Sequence, residues 1–148
     1  MRYLGIGLVA AGYMALAQAQ SVDIVDTRQK ALKALGASFK TIRDELRGDS
    51  PDAARIKTAA TDITSAAAEI GKWFPAGSGP APGLKTDARP QIWTDAAGFA
   101  SAREAFIREA NKWAQLGANG DRVKWQEAAA SLGQTCKGCH DKFRVKRE

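Results

Sequence analysis

The sequence contains few of the side chains that bind metals or build redox centres. Its 148 residues include two cysteines, one histidine and two methionines. Both cysteines and the histidine fall within one pentapeptide, residues 136–140. A structural zinc site needs four ligands, and no cysteine or histidine outside the pentapeptide is left to complete one. A thioredoxin-like dithiol needs a neighbouring βαβ pattern, and no stretch shows the alternation of a strand.

The pentapeptide, Cys136-Lys137-Gly138-Cys139-His140, has the Cys-x-x-Cys-His spacing by which c-type haem is attached. The two thiols form thioethers with the haem vinyl groups, and the histidine ligates the iron. On a helix, positions three and four apart share a face, so all three side chains can reach one planar ring. We therefore predict one covalent haem c on Cys136 and Cys139, with His140 as the axial iron ligand. A redox dithiol and an accidental match are the alternatives.

A second axial ligand is missing. Methionine and histidine are the usual ligands for the other face of the iron. The only methionines, Met1 and Met14, lie in the N-terminal segment, and there is no second histidine. A lysine or an N-terminal amine would have to lose a proton and enter an apolar pocket, at a cost of several kcal/mol. The sequence thus predicts five-coordinate iron with a distal side that admits small diatomic gases.

The N-terminal segment has the pattern of a secretory signal peptide. Arg2 supplies the positive charge, residues 4–16 the apolar run, and Ala17-Gln18-Ala19 an A-x-A cleavage site. We predict a signal peptide over residues 1–19, a single domain over residues 20–148, and a periplasmic location. An uncleaved anchor is the alternative, but the apolar run is short for a membrane span.

The formal net charge is +6, and the C-terminal residues 142–147 are strongly basic. Such residues can indicate binding to nucleic acid. Solvated helix faces and a favourable interaction with a helix C-terminus explain these residues better, and export also argues against nucleic acid. We predict neither a nucleic-acid nor a membrane partner.

Four stretches carry apolar residues at steps of three and four, which is typical of helices in a bundle. They cover residues 22–47, 51–74, 94–116 and 122 towards the C-terminus, with Ser50 and Asp121 as N-caps. The proline- and glycine-rich residues 75–90 cannot hold a helix and form one long connection. Cys136 and Cys139 are in phase with the apolar face of the last stretch. We predict an all-α, antiparallel four-helix bundle with covalent haem c near the C-terminus of the fourth helix.

Two arginines depart from this pattern. Arg28 stands on the apolar stripe of the first helix, where it either snorkels at the bundle end or holds a cation near a haem propionate. The sequence leaves these interpretations open. Arg144 lies one helical turn after His140, and we predict that it covers the proximal face of the imidazole. An ordinary exposed position in the tail is the alternative.

Several local motifs resemble one known family. They are the C-terminal pentapeptide with Phe143-Arg144 after it, Arg28-Gln29-x-x-Leu32, Asp52-Ala-Ala-x-Ile56-Lys, and Asp87-Ala-Arg-Pro-x-Ile-Trp-x-Asp95. With these motifs the sequence resembles the cytochromes c′, the class II c-type cytochromes, over essentially all of residues 20–148. Leu32 stands where the low-spin relatives carry a methionine ligand, so the resemblance is to the high-spin members.

The resemblance implies a homodimeric bundle with high-spin, five-coordinate haem that binds NO and CO and buffers or removes NO. It assigns roles to six residues around the haem: Arg28, Gln29 and Asp87 at the propionates or the loop, Leu32 and Phe74 on the distal side, and Arg144 on the proximal side.

Two other functions compete with gas binding. An electron carrier with an unknown redox partner needs no open site, but fast carriers usually keep six ligands in both oxidation states. A peroxidase usually needs a polar distal acid or base, which Leu32 and Phe74 do not offer. We therefore predict a gas-binding protein that is not an enzyme, with electron transfer as the alternative.

Overall fold

The computed structural model describes residues 7–116 and 121–146, with side chains from Gln20 onward. Four long helices form the bundle, and two short helical turns connect them. The long helices are α1 (Gly7–Arg47), α2 (Ala53–Glu69), α4 (Ala96–Leu116) and α5 (Arg122–Phe143). The short turns are a 3₁₀ helix (Ile70–Trp73) after α2 and α3 (Gln91–Thr94) before α4. The predicted all-α four-helix bundle is confirmed.

Neighbouring helices pack in the order of a closed bundle. Helix α1 packs on α2, α2 on α4, and α4 on α5, and α1 also contacts α5. Among the helices that the structure describes, none is both long enough and apolar enough to cross a membrane.

The first helix begins earlier than the periodicity indicated. It starts at Gly7 rather than Val22 and continues without a break past Ala19, the last residue of the predicted signal peptide. Apolar and alanine-rich segments favour helix whether or not they belong to the bundle, so the stripe marks only the part that packs.

The N-cap of α2 is Asp52, and the predicted cap at Ser50 is wrong. The Asp52 carboxylate accepts hydrogen bonds from the backbone N–H groups of Ala54 (2.8 Å) and Arg55 (3.2 Å). Pro51 therefore lies before the helix instead of in its first turn. At the other end α2 stops at Glu69 and is followed directly by the 3₁₀ helix. This helix ends at Trp73, because Pro75 disfavours a helical conformation at Phe74.

The third long helix starts two residues later than predicted. Asp95 has a non-helical backbone, and its carboxylate accepts from the backbone N–H of Gly98 (3.0 Å). It also pairs with Lys142 of α5 at 2.6 Å, which together with the Gly98 bond lowers the pKa of Asp95. The predicted N-cap of the last helix is confirmed, since Asp121 accepts from the backbone N–H of Lys124 (2.9 Å).

Two apolar clusters form the core, and they leave space between them. The larger contains residues from all four long helices: Ile42, Leu46, Ile56, Ala59, Ala60, Ile63, Ala67, Phe106, Ala110, Trp113, Trp125 and Leu132. The smaller contains Ala88, Ile92, Phe99 and Phe143. Residues of both clusters line the cavity described below.

The chain after α5 is fastened to the long loop. Ala88 and Arg144 form an antiparallel bridge. The Arg89 N–H donates to Phe143 O (2.9 Å), and the Val145 N–H donates to Asp87 O (2.8 Å). This fastening, here called the C-terminal strap, fixes the loop beside the helix that carries His140.

Candidate haem site

A cavity of about 560 Å³ opens between the two clusters. This volume lies within the range of about 300–1,000 Å³ that is usual for ligand and cofactor sites. Every residue to which the sequence assigned a role lines it: Arg28, Gln29, Leu32, Phe74, Asp87, Cys136, Cys139, His140 and Arg144. The structure thus brings residues from α1, the long loop and α5 to one place.

The chemistry of the two thiols argues against a redox dithiol. Cys136 and Cys139 are free and partly buried, and burial raises the pKa of both. Redox-active cysteines have a lowered pKa and commonly sit at a helix N-terminus. These two lie in the C-terminal half of α5, far from the helix N-terminus that would stabilise a thiolate.

His140 is suited to ligate a metal. Its side chain is exposed on one side, and desolvation lowers its pKa, with the positive charge of Arg144 acting in the same direction and Asp141 opposing it. A lowered pKa favours the neutral imidazole, which is the form that binds metals. Two thiols and one imidazole along a cavity with mainly apolar walls fit covalent haem c.

Arg28 is buried, so the snorkelling interpretation is wrong. Its side chain is 2% exposed. The guanidinium donates to Ser78 Oγ, Ser78 O and Thr86 Oγ1, each at 3.0 Å. It lies 4.9 Å from the centroid of the Phe74 ring, in cation–π geometry. Burial lowers its pKa. Arg28 therefore fixes the long loop to α1 at the edge of the cavity.

The sequence analysis missed the loop residues that bind Arg28 at the edge of the cavity. Ser78 is 1% exposed and is fixed by a hydrogen bond from its own hydroxyl to Pro75 O (2.8 Å). Gln29 adds a second link, since its amide donates to Lys85 O at 2.6 Å. A loop without periodicity gives no signal of which of its polar residues face inward.

Leu32 and Phe74, the residues predicted for the distal side, both line the cavity. Phe74 is held between Arg28 and the edge of the Phe99 ring, with ring centroids 5.0 Å apart. Two cations that the sequence analysis did not assign, Lys33 and Arg103, also line the cavity. Lys33 does not fall on the apolar stripe of its helix, so periodicity did not indicate it.

Two cavity-lining residues with separately predicted roles, Arg144 and Asp87, form an ion pair. Arg144 Nη2 lies 3.7 Å from Asp87 Oδ2, with side chains 52% and 28% exposed. The C-terminal strap joins the backbones of the same two segments. Arg144 is therefore held from the loop side as well as from α5.

The Asp87 carboxylate is expected to contribute little to stability. Asp87→Asn keeps the backbone carbonyl that accepts from Val145 and neutralises the carboxylate. A solvent-accessible pair of this kind contributes about 1 kcal/mol, so the free energy of unfolding in urea should fall by about that amount or less. A loss above about 2 kcal/mol would show that the carboxylate does more than pair with Arg144.

The comparison with known proteins decides the family. The sequence model of the family described as cytochrome c′ matches residues 23–144 of this chain. The chain belongs to the cytochrome c′ family. Cytochromes c′ bind covalent haem c through cysteine, and Cys136 and Cys139 are the two cysteines of this chain.

Individual relatives agree over nearly the whole domain. The cytochrome c′ of Alcaligenes xylosoxydans xylosoxydans is 35% identical over 130 residues, which cover 87% of this chain and 98% of the relative. A ferrous arginine-to-lysine variant from Alcaligenes xylosoxidans, solved with bound NO, superposes with a TM-score of 0.76 at 32% identity, covering 86% of this chain and 97% of that one. A cytochrome c′ described as having ligand-controlled dimer dissociation gives a TM-score of 0.79 at 26% identity, covering 85% and 97%.

Proposed function

We propose that this cytochrome c′ is a periplasmic haem protein that binds NO and CO on five-coordinate, high-spin iron with His140 as its one axial ligand, and that it buffers or removes NO. One observation carries the proposal: among the described residues that line the cavity, none is a methionine or a second histidine. The NO-bound structure of the 32% identical relative supports it.

The chain's own residues have different roles around the haem, and the haem supplies the iron that binds the gas. Arg28 and Gln29 stand at the corner that suits the propionates, and the buried Arg28 cation makes its hydrogen bonds to neutral oxygens. An anionic propionate would compensate that buried charge. Leu32 and Phe74 form an apolar distal wall, and Arg144 lies on the proximal side.

An apolar distal wall favours gas binding over the competing functions. Leu32 and Phe74 have no group that could transfer a proton, so we assign no catalysis to this site. Lys33 is the cavity-lining residue that could supply a sixth ligand, but its side chain is exposed. Coordination by Lys33 would require the neutral amine to leave water for an apolar pocket, which is unfavourable.

The proposal also includes export to the periplasm and assembly into a homodimer. Removal of residues 1–19 would leave Gln20 as the N-terminus of the exported chain, and mass spectrometry of periplasmic protein tests this directly. A homodimer is supported by the relative whose dimer dissociation is ligand-controlled. Sedimentation of the holoprotein with and without CO would test the dimer in this chain.

Leu32→Ala is expected to raise the equilibrium affinity for CO by about tenfold or more, equivalent to about 1.4 kcal/mol, because it removes the side chain that crowds the distal side. CO titration of the reduced holoprotein measures this effect. Leu35→Ala is the matched control, since Leu35 lines the same cavity one turn along α1 and should leave the affinity unchanged. Equal affinities in wild type and Leu32→Ala would show that Leu32 does not cover the distal side.

A further inference from the structure

A surface groove with a volume of about 410 Å³ lies along the seam between α1 and α5. We call it the outer groove. Its walls are Phe39 and Arg43 from α1, and Ala129, Ala130, Gly133, Gln134 and Lys137 from α5. Phe39 also lines the haem cavity, and it is the one residue that the two linings share. A partly buried phenylalanine thus separates the haem cavity from the outer groove.

Gly133 keeps the groove open beside Phe39. A glycine inside a helix such as α5 costs about 1 kcal/mol relative to alanine. Close packing does not require it, because a Cβ built at Gly133 would lie 3.5 Å from Phe39 Cζ, an ordinary contact. What glycine provides at this position is the absence of a longer side chain in front of the Phe39 ring.

An apolar track leads inward from Phe39. Leu32, Leu35, Gly36 and Phe39 are spaced by three, four and seven residues, so they share one face of α1, and all four line the haem cavity. Gly36 is exposed and has no side chain that would narrow the track. It ends at Leu32, the residue assigned to the distal side.

We propose that Phe39 is a gate through which diatomic gases pass between the outer groove and the distal side of the haem. This inference rests on the proposed gas-binding function. A diatomic gas forms few hydrogen bonds and can follow an apolar track, whereas an ion would lose its hydration there. Rotation of a partly exposed side chain is fast enough to open such a gate.

A gate changes the rates of binding and release but leaves the affinity unchanged, because it lowers or raises one barrier for both directions. Gly133→Leu places a larger side chain against Phe39. It should slow both CO binding and CO release by about tenfold at constant Kd. Leucine is a better helix former than glycine, so the variant is expected to fold. Gly133→Ala is the matched control, since it makes the same kind of change in helix propensity without filling the groove.

The kinetics are measured by flash photolysis of the CO-bound, reduced holoprotein. The Leu32→Ala background is used, because a barrier at Leu32 would otherwise hide a barrier at Phe39. Equal rates in Gly133→Leu and Gly133→Ala would overturn the gate. A change in Kd would also overturn it, because the substitution would then act on the bound state.

Xenon gives a second readout that does not depend on CO. Xenon occupies apolar cavities, so crystals of the holoprotein under xenon pressure should show an atom beside Phe39 in wild type and in Gly133→Ala. That atom should be absent in Gly133→Leu. No xenon beside Phe39 in any of the three proteins would overturn the gate. A wild-type protein that binds no CO would overturn the proposed function and the gate together, whereas unaltered kinetics with intact CO binding would overturn the gate alone.

Discussion

Replacing both cysteines, Cys136→Ser together with Cys139→Ser, should abolish covalent attachment of haem completely. The chain has no other thiol that could form a thioether. The serine side chains keep nearly the same volume on the same face of α5, so the loss is chemical and not a change of packing. Extraction with acidified acetone should leave haem on the wild-type polypeptide and remove it from the double variant.

The single variants provide the control for this experiment. Cys136→Ser and Cys139→Ser each retain one thiol that lines the cavity, and each should keep haem through one thioether. Mass spectrometry would then show the polypeptide with one haem in both single variants and none in the double variant. Haem that stays covalently bound to the double variant would contradict the assignment of these two residues.

Arg28→Met should reduce the free energy of unfolding by about 3 kcal/mol or more, because a buried acceptor that loses its donor costs about 1–3 kcal/mol. The substitution leaves four acceptors without their donor, namely Trp73 O, Ser78 Oγ, Ser78 O and Thr86 Oγ1. Methionine is flexible and fills much of the space, so cavity formation adds little. Urea denaturation of the holoprotein measures the difference.

Gln29→Met is the matched control for the arginine. Gln29 is the next residue on α1, is exposed, and links to the same loop by one hydrogen bond to Lys85 O. Its replacement should cost no more than about 1 kcal/mol. An Arg28→Met variant as stable as wild type would contradict the account, because the desolvation of the buried cation would then cancel its hydrogen bonds.

The sequence predicted the parts of the fold that depend on local periodicity. The apolar stripes located the four long helices, because burial of one helix face repeats every three to four residues. The same rule placed Cys136, Cys139 and His140 along one cavity. The predicted helix ends were less accurate. Ser50 and Asp52 are both good N-caps, and only the structure shows that the Asp52 carboxylate accepts from the backbone.

Contacts between distant segments could not be predicted. Arg28 binds Ser78 and Thr86, which lie 50 and 58 residues further along the chain in a loop without periodicity. The sequence marked Arg28 as unusual but could not choose between exposure and burial. The ion pair between Asp87 and Arg144 could not be predicted either, because the C-terminal strap that aligns the two segments forms only in the folded bundle.

The absorption spectrum of the reduced, exported protein, recorded before and after addition of CO, tests the central claim most directly. The account predicts broad, unsplit bands that shift on addition of CO, as expected for five-coordinate iron with an open side. Sharp, split bands that do not respond to CO would reveal a sixth ligand and contradict the account. In that case the spectrum of Lys33→Ala would show whether Lys33 supplies the ligand, and electron transfer would become the better assignment.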